Sequence, residues 1–283
     1  MARELETCQL AERSLIKKYR KELWNPFIAA IKRYELIQRG DKIAVCVSGG
    51  KDSWLLAMLM KHLQPFSEVP FELEFICMDP GYSPENRRQI EENAALLRIP
   101  LSIFETDVFS ASEQAAGENP CYICARMRRG HLYAEAQRRG CNKIALGHHL
   151  NDVIETALMS MTYGAQLQGM VPRLRSTNFE GMELIRPLYL IREDDIKAWR
   201  DYNELHFIQC ACKFTDTCTT CSNEETRSKR VEVKQLIKEM KKTNPLVEKH
   251  IFKSVENVAL DAVIAYKTGE KKVHFLDHYD ENA

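Results

Sequence analysis

The 283-residue sequence carries no net charge of either sign: 40 Lys and Arg stand against 40 Asp and Glu. Composition therefore does not announce a nucleic-acid partner, and any basic surface must come from local clustering. No apolar run approaches the ~20 residues of a membrane-spanning helix, so no membrane partner is expected. Met1 to Lys21 is charged throughout and lacks a secretory apolar core, which points to a cytoplasmic protein. Internal repeats and low-complexity tracts are missing too. In a reducing compartment the ten cysteines are not expected to form structural disulfides. The 45% hydrophobic content is enough for an ordinary core, in one large domain or two modest ones.

The chain does contain a glycine turn of specific form. Ser48-Gly49-Gly50-Lys51-Asp52-Ser53 follows the apolar run Ile43 to Val47 and precedes the helical run Trp54 to His62. A strand that turns through glycines into a helix aims backbone N–H groups at the positive end of a helix dipole, which suits a phosphate. Lys51 can neutralise phosphate charge, and Ser48 and Ser53 can donate hydroxyl hydrogen bonds. A Walker A loop would need Gly at 45 and Ser or Thr at 52, where Val45 and Asp52 stand. An acid at Asp52 suggests a nucleotide bridged by Mg²⁺.

The pattern around this turn alternates. Strands are expected at 42–47, 72–77, 101–105, 143–146 and 183–186. Helices are expected at 51–63, 84–98, 122–139, 151–162 and 193–205. This predicts an α/β fold with a Rossmann-like doubly wound parallel sheet and helical N- and C-terminal extensions. We divide it as 1–40, an N-terminal helical extension; 41–205, the nucleotide-binding α/β domain; and 206–283, a cysteine-rich loop and C-terminal helical region. Within these, helices are read at Leu10–Leu23, from Asn25 to Gly40, at Glu224–Lys242 and at Leu246–Tyr266, with the last dozen residues a tail. Ser48, Asp79, Thr106 with Asp107, and Gly147 with His148 then follow successive strands, at the carboxyl edge where such sheets bind ligands.

Six cysteines fall in two groups, Cys121/Cys124 and Cys210/Cys212/Cys218/Cys221. Cys8, Cys46, Cys77 and Cys141 read as buried small hydrophobes. Cys121 and Cys124 open a helix that carries Arg126, Arg128 and Arg129, where thiolates are favoured. Spacing leaves three readings open: a Cys₄ zinc site, a [4Fe–4S] cluster on three thiolates, or a redox pair.

Several motifs in order resemble one family. Ser48–Ser53 is similar to the PP-loop of N-type ATP pyrophosphatases (HUP-type sheets). Cys121–Tyr133, Lys143–Asp152, Gly164–Pro172 and Ile185–Leu188 resemble signatures of the TtcA family, the tRNA 2-thiocytidine synthetases. The resemblance covers about residues 30 to 240. It implies an ATP- and Mg²⁺-dependent tRNA sulfurtransferase that adenylates C2 of an anticodon-loop cytidine, expected at position 32. Sulfur then replaces the oxygen, and AMP and pyrophosphate are released. Uridine thiolation, or a zinc-stabilised nucleotide-binding module, is the alternative.

By this resemblance a [4Fe–4S] cluster sits on Cys121, Cys124 and a later cysteine, aligned with Cys221; Cys210 and Cys212 are rivals. Lys51, Asp52 and Asp152 are the catalytic candidates. Ser48, Gly49, Gly50, Lys51, Asp52, Ser53, Asp79, Gly147 and His148 are the nucleotide-binding ones. His149 is either a ligand contact or packed beneath its helix. Partners implied are tRNA, a sulfur donor (sulfide or a persulfide carrier protein) and a second copy in a homodimer. Lys17, Lys18, Arg20 and Lys21, Arg126 to Arg129, and Lys229 with Arg230 are candidate RNA-facing basic clusters. Tyr122 and Tyr133 are candidates to stack on a base, Tyr133 being equally a core residue. One departure stands out: Asn151 occupies the first acid position of the family's H-H-x-D-D run, leaving Asp152 alone.

Overall fold

A computed structural model describes residues 5–108, 120–208 and 229–279, with the backbone alone for 120–125 and for His278. Cys210, Cys212, Cys218 and Cys221 lie outside the described residues.

Five strands run parallel: β1 (Lys42–Cys46), β2 (Glu72–Asp79), β3 (Leu101–Glu105), β4 (Lys143–Ala145) and β6 (Glu183–Ile185). A sixth, β5 (Arg173–Arg175), pairs antiparallel with β6 at the edge, giving the order β3-β2-β1-β4-β6-β5. The order turns between β1 and β4, the switch point of a doubly wound sheet. Strand β5 was not foreseen: three residues, mostly exposed, show no readable alternation.

Both faces of the sheet are covered, which is why its strands read as unbroken apolar runs. Ile43, Val45 and Val47 join the larger core, while Ala44 and Cys46 point the other way into the smaller one. The larger core receives α3 (Lys51–Leu63), whose Trp54 to Met60 are all buried. A helix stretch apolar all round must be central, and each of its Leu and Met side chains contributes about 1.5–3 kcal/mol by leaving water. The smaller core receives α5 (Pro120–Arg138) through Tyr133 and Ala136. Tyr133 is a core residue there, its ring stacked on Phe179 at 5.1 Å. Cys8, Cys46, Cys77 and Cys141 are free and buried, as expected.

The N-terminal segment forms α1 (Thr7–Ile16), a π-helical turn (Arg20–Trp24) and α2 (Asn25–Arg33). It packs against α7 (Glu193–Tyr202): the Trp199 indole donates to Ser14 Oγ at 3.1 Å, and the Tyr19 hydroxyl donates to Ala198 O at 2.9 Å. The remaining helices are α4 (Pro84–Leu96), α6 (Leu150–Thr162), α8 (Lys229–Thr243) and α9 (Val247–Glu256).

The C-terminal reading needs correction. The helix expected to reach Tyr266 ends at Glu256, because Asn257 leaves helical angles (φ −134, ψ 60). Beyond it stands a hairpin that was not expected, β7 (Ala265–Thr268) and β8 (Lys271–His274), joined at Gly269-Glu270, with only β8 reaching into the expected tail. Gly269 has φ +60, the backbone a two-residue hairpin turn requires. Among the described residues no helix is long and apolar enough to cross a membrane.

Candidate active site

The glycine turn forms as the sequence predicts, and side chains lock it. Ser53 Oγ accepts from the Ser48 N–H at 3.1 Å and donates to Gly50 O at 2.8 Å. Gly50 is the extended N-cap of α3, and no side chain caps it. The first N–H groups of the helix therefore face the turn. Gly49 has φ +86, and a Cβ there would stand 2.4 Å from Ile208 Cδ1, so only glycine fits.

A cavity of 410 Å³ opens beside this turn, at the carboxyl ends of β1 and β4. That volume is within the ~300–1,000 Å³ typical of small-molecule sites. Val47, Met78, Leu132, Ile144 and Leu146 give it apolar walls suited to a flat ring. Ser48, Ser53, Asp52, Asp152 and His148 supply polar groups, and Arg128 and Arg129 close it from α5. Gly147 lets the β4 loop approach α3: a Cβ there would meet the Asp52 and Ser53 backbone at 3.1 Å.

Two buried atoms in this lining, Asp52 Oδ1 and His148 Nδ1, have no hydrogen-bond partner among the described residues. Orphaned buried polar atoms aimed into a cavity fit a nucleotide with its cation. The buried His149 ring lies between the two acids, 3.8 Å from Asp52 Oδ1 and 3.4 Å from Asp152 Oδ2. Asp152 Oδ2 also accepts the His149 N–H at 3.0 Å, and Arg230 reaches Asp152 Oδ1 at 2.7 Å. Burial works to raise the Asp152 carboxyl, but His149 and Arg230 outweigh it and hold it below the usual range. His148 is pushed down to about 4, by burial first and by the Arg186 charge second, so it is neutral at pH 7.

Three expected residues are placed differently. Lys51 does not line this cavity. It points across the turn, 3.1 Å from both Asp52 Oδ2 and Glu193 Oε1, into a second cavity of 220 Å³ shared with Lys197 and Arg200. Asp79 is outside both cavities. Its Oδ1 accepts from the N–H groups of Gly81 (2.9 Å) and Tyr82 (2.7 Å), and its Oδ2 pairs with Arg87 (2.8 Å), so the carboxylate is spent on a turn. Asn151 also faces away: its Oδ1 accepts the Glu193 N–H at 3.0 Å and its Nδ2 donates to Glu248 at 3.3 Å.

Other residues escaped sequence reasoning. Arg186, marked in the sequence only as part of the Ile185–Leu188 motif, is buried, donates to Val171 O, and is lowered by burial to about 10. Glu155 and Glu193 bind Lys234 of α8, at 3.6 and 3.5 Å. No local signal marks such partners, which lie far apart in the chain.

Cys121 and Cys124 stand three residues apart within the first two turns of α5. Cys124 precedes Arg128 by four residues, about 6 Å along the helix axis. The same helix thus carries the cysteine turn and closes the cavity.

A mostly parallel sheet with a serine-locked glycine turn at its switch point, lacking Walker A spacing, defines a nucleotide-binding α/β protein of the PP-loop class. The family model for the PP-loop domain matches residues 17–237. The chain is 35% identical over 254 residues to the tRNA-cytidine(32) 2-sulfurtransferase of Acaryochloris marina, covering 89% of this chain and 86% of that one. It is 37% identical over 232 residues to that of Geotalea uraniireducens, covering 81% and 88%. The chain belongs to the tRNA-cytidine(32) 2-sulfurtransferase family of PP-loop proteins. Its fold is shared with the U34-tRNA thiolase NcsA of Methanococcus maripaludis, solved with its [4Fe-4S] cluster, at a TM-score of 0.65, with 21% identity and coverage of 92% of this chain and 87% of that one.

Proposed function

We propose that this protein uses MgATP to thiolate C2 of a tRNA cytidine, at position 32, releasing AMP and pyrophosphate. One observation carries the reading: Ser48 and Ser53 of the glycine turn, Asp52, Asp152 and neutral His148 converge on a single cavity that the cysteine-bearing helix α5 closes.

A carbonyl oxygen is a poor leaving group, and adenylation improves it. Cytidine O2 attacks the α-phosphorus, the bond to the β-phosphate breaks, and pyrophosphate leaves. Sulfur at the sulfide level then bonds to C2, and AMP departs with the former O2. Ser48, Ser53 and the N–H groups of the Gly49-Gly50 turn hold the phosphates. Lys51, from the far side of the turn, meets charge growing on the departing pyrophosphate. Gly147 gives the α-phosphate room, and neutral His148 offers a hydrogen bond there without adding charge. Asp52 and Asp152 would hold Mg²⁺, with His149 as the wedge that spaces them. Mg²⁺, when bound, neutralises the bridging phosphate oxygen.

Cys121, Cys124 and Cys221 would hold the [4Fe–4S] cluster, which would supply the sulfur-transfer chemistry. Thiolates at the start of α5 suit it, since a helix N-terminus stabilises them. Arg128 and Arg129 contact tRNA phosphates at the cavity mouth. Arg230 is committed to Asp152 and is not offered to RNA. A sulfide or persulfide carrier delivers sulfur, and two copies assemble in the cytoplasm.

The test uses anaerobically purified protein with MgATP, sulfide and unmodified tRNA. AMP, pyrophosphate and 2-thiocytidine are expected, the last by nucleoside mass spectrometry. Formation of ADP, or of thiouridine in place of thiocytidine, defeats the reading. Zinc without iron in metal analysis defeats the cluster.

A further inference from the structure

Glu193 is the first residue of α7 and belongs to no motif discussed above. Its carboxylate meets three ammonium groups: Lys51 at 3.1 Å, Lys197 at 3.2 Å and Lys234 at 3.5 Å. Its backbone N–H is held by Asn151 Oδ1 at 3.0 Å, a cap supplied by a neighbouring helix where Arg192, the N-cap residue, provides none. Backbone and side chain are thus both fixed. Burial works to raise the Glu193 carboxyl, yet Lys51 and Lys234 outweigh it and hold it at about 2.

Lys51 is the residue that gains. A free lysine samples many rotamers. Asp52 alone cannot select one, because it sits on the same turn and its other oxygen faces the main cavity. Glu193 comes from a separate, well-packed element and pulls the ammonium across the turn. We propose that Glu193 is a positioning residue for Lys51. It keeps the ammonium where charge develops on the leaving pyrophosphate and restrains it from closing fully on ground-state ATP. This rests on the nucleotide reading above.

An interaction of that kind favours the transition state over the bound substrate. Removing it should tighten ATP binding and slow the reaction together. The experiment is a double-mutant cycle on Glu193→Gln and Lys51→Met, each checked by thermal melting. Calorimetry measures affinity for the Mg²⁺ complex of α,β-methylene ATP, and AMP formation with tRNA gives kcat. Glu193→Gln should bind the analogue about threefold more tightly and lower kcat about tenfold or more. In the Lys51→Met background it should change neither by more than about twofold. An equal effect in both backgrounds, or weaker binding with a lower melting temperature, overturns the proposal. Should the wild type bind the analogue yet form no AMP, the thiolation reading falls while the binding cycle still decides the Glu193–Lys51 coupling. Failure to bind the analogue at all defeats both.

Discussion

Glu155 and Asp152 lie one helical turn apart and titrate in opposite directions. Asp152 receives an N–H from His149 at 3.0 Å and one from Arg230 at 2.7 Å, which favour its charged form. The Glu155 side chain is 2% exposed, and Arg230 and Lys234 come no nearer than 3.6 Å. Its Oε2 has no hydrogen-bond partner among the described residues, and burial pushes its pKa up to about 7 from 4.5. A carboxyl raised by folding contributes most below its unfolded pKa and loses that contribution as pH climbs through the folded one. The stability lost therefore falls between pH 4.5 and 7. Glu155→Gln should melt higher than the wild type at pH 8, with the gap closing near pH 5. Melting curves across that range check this, and parallel curves would show that Glu155 is ionised throughout.

Between elements, Asn151 is the fastener. It joins α6 to the N-terminus of α7 and to Glu248 of α9, which in turn holds Arg192 and, at 2.9 Å, Lys241. An aspartate there would still accept the Glu193 N–H. It would lose the donor to Glu248 and set two carboxylates together. An acid at 151 and this glutamate would thus be poor neighbours. We expect Asn151→Asp to cost about 1–3 kcal/mol of stability by urea denaturation. Its Mg²⁺ requirement should not change, since the side chain faces away from Asp52 and Asp152. A sharpened Mg²⁺ dependence would place residue 151 at the cation instead.

For the whole molecule, the PP-loop domain match ends at residue 237, and the β7–β8 hairpin lies beyond it. A two-stranded sheet is marginal by itself. Ile264 (75%), Leu276 (60%) and Tyr279 (65%) are exposed, and within the two strands only Val273 is buried. Truncation after Asn257 should therefore leave affinity for the ATP analogue unchanged and shift the melting temperature by only a few degrees. A large fall in either, by calorimetry or melting, would make the hairpin part of the catalytic body.

The strand–helix alternation and the glycine turn were legible because each is written in neighbouring residues. Apolar runs dictate buried strands, and Gly49 dictates a backbone only glycine adopts easily. The chain by itself thus determined the parallel α/β sheet and the position of the Ser48–Ser53 turn at its carboxyl edge. Tertiary structure alone decided that Lys51 points across the turn to Glu193, that Asp79 is consumed by Gly81, Tyr82 and Arg87, and that Arg230 of α8 closes on Asp152. Electrostatic partnership depends on distance through space, and residues far apart in sequence carry no mark of meeting until the sheet brings their helices together.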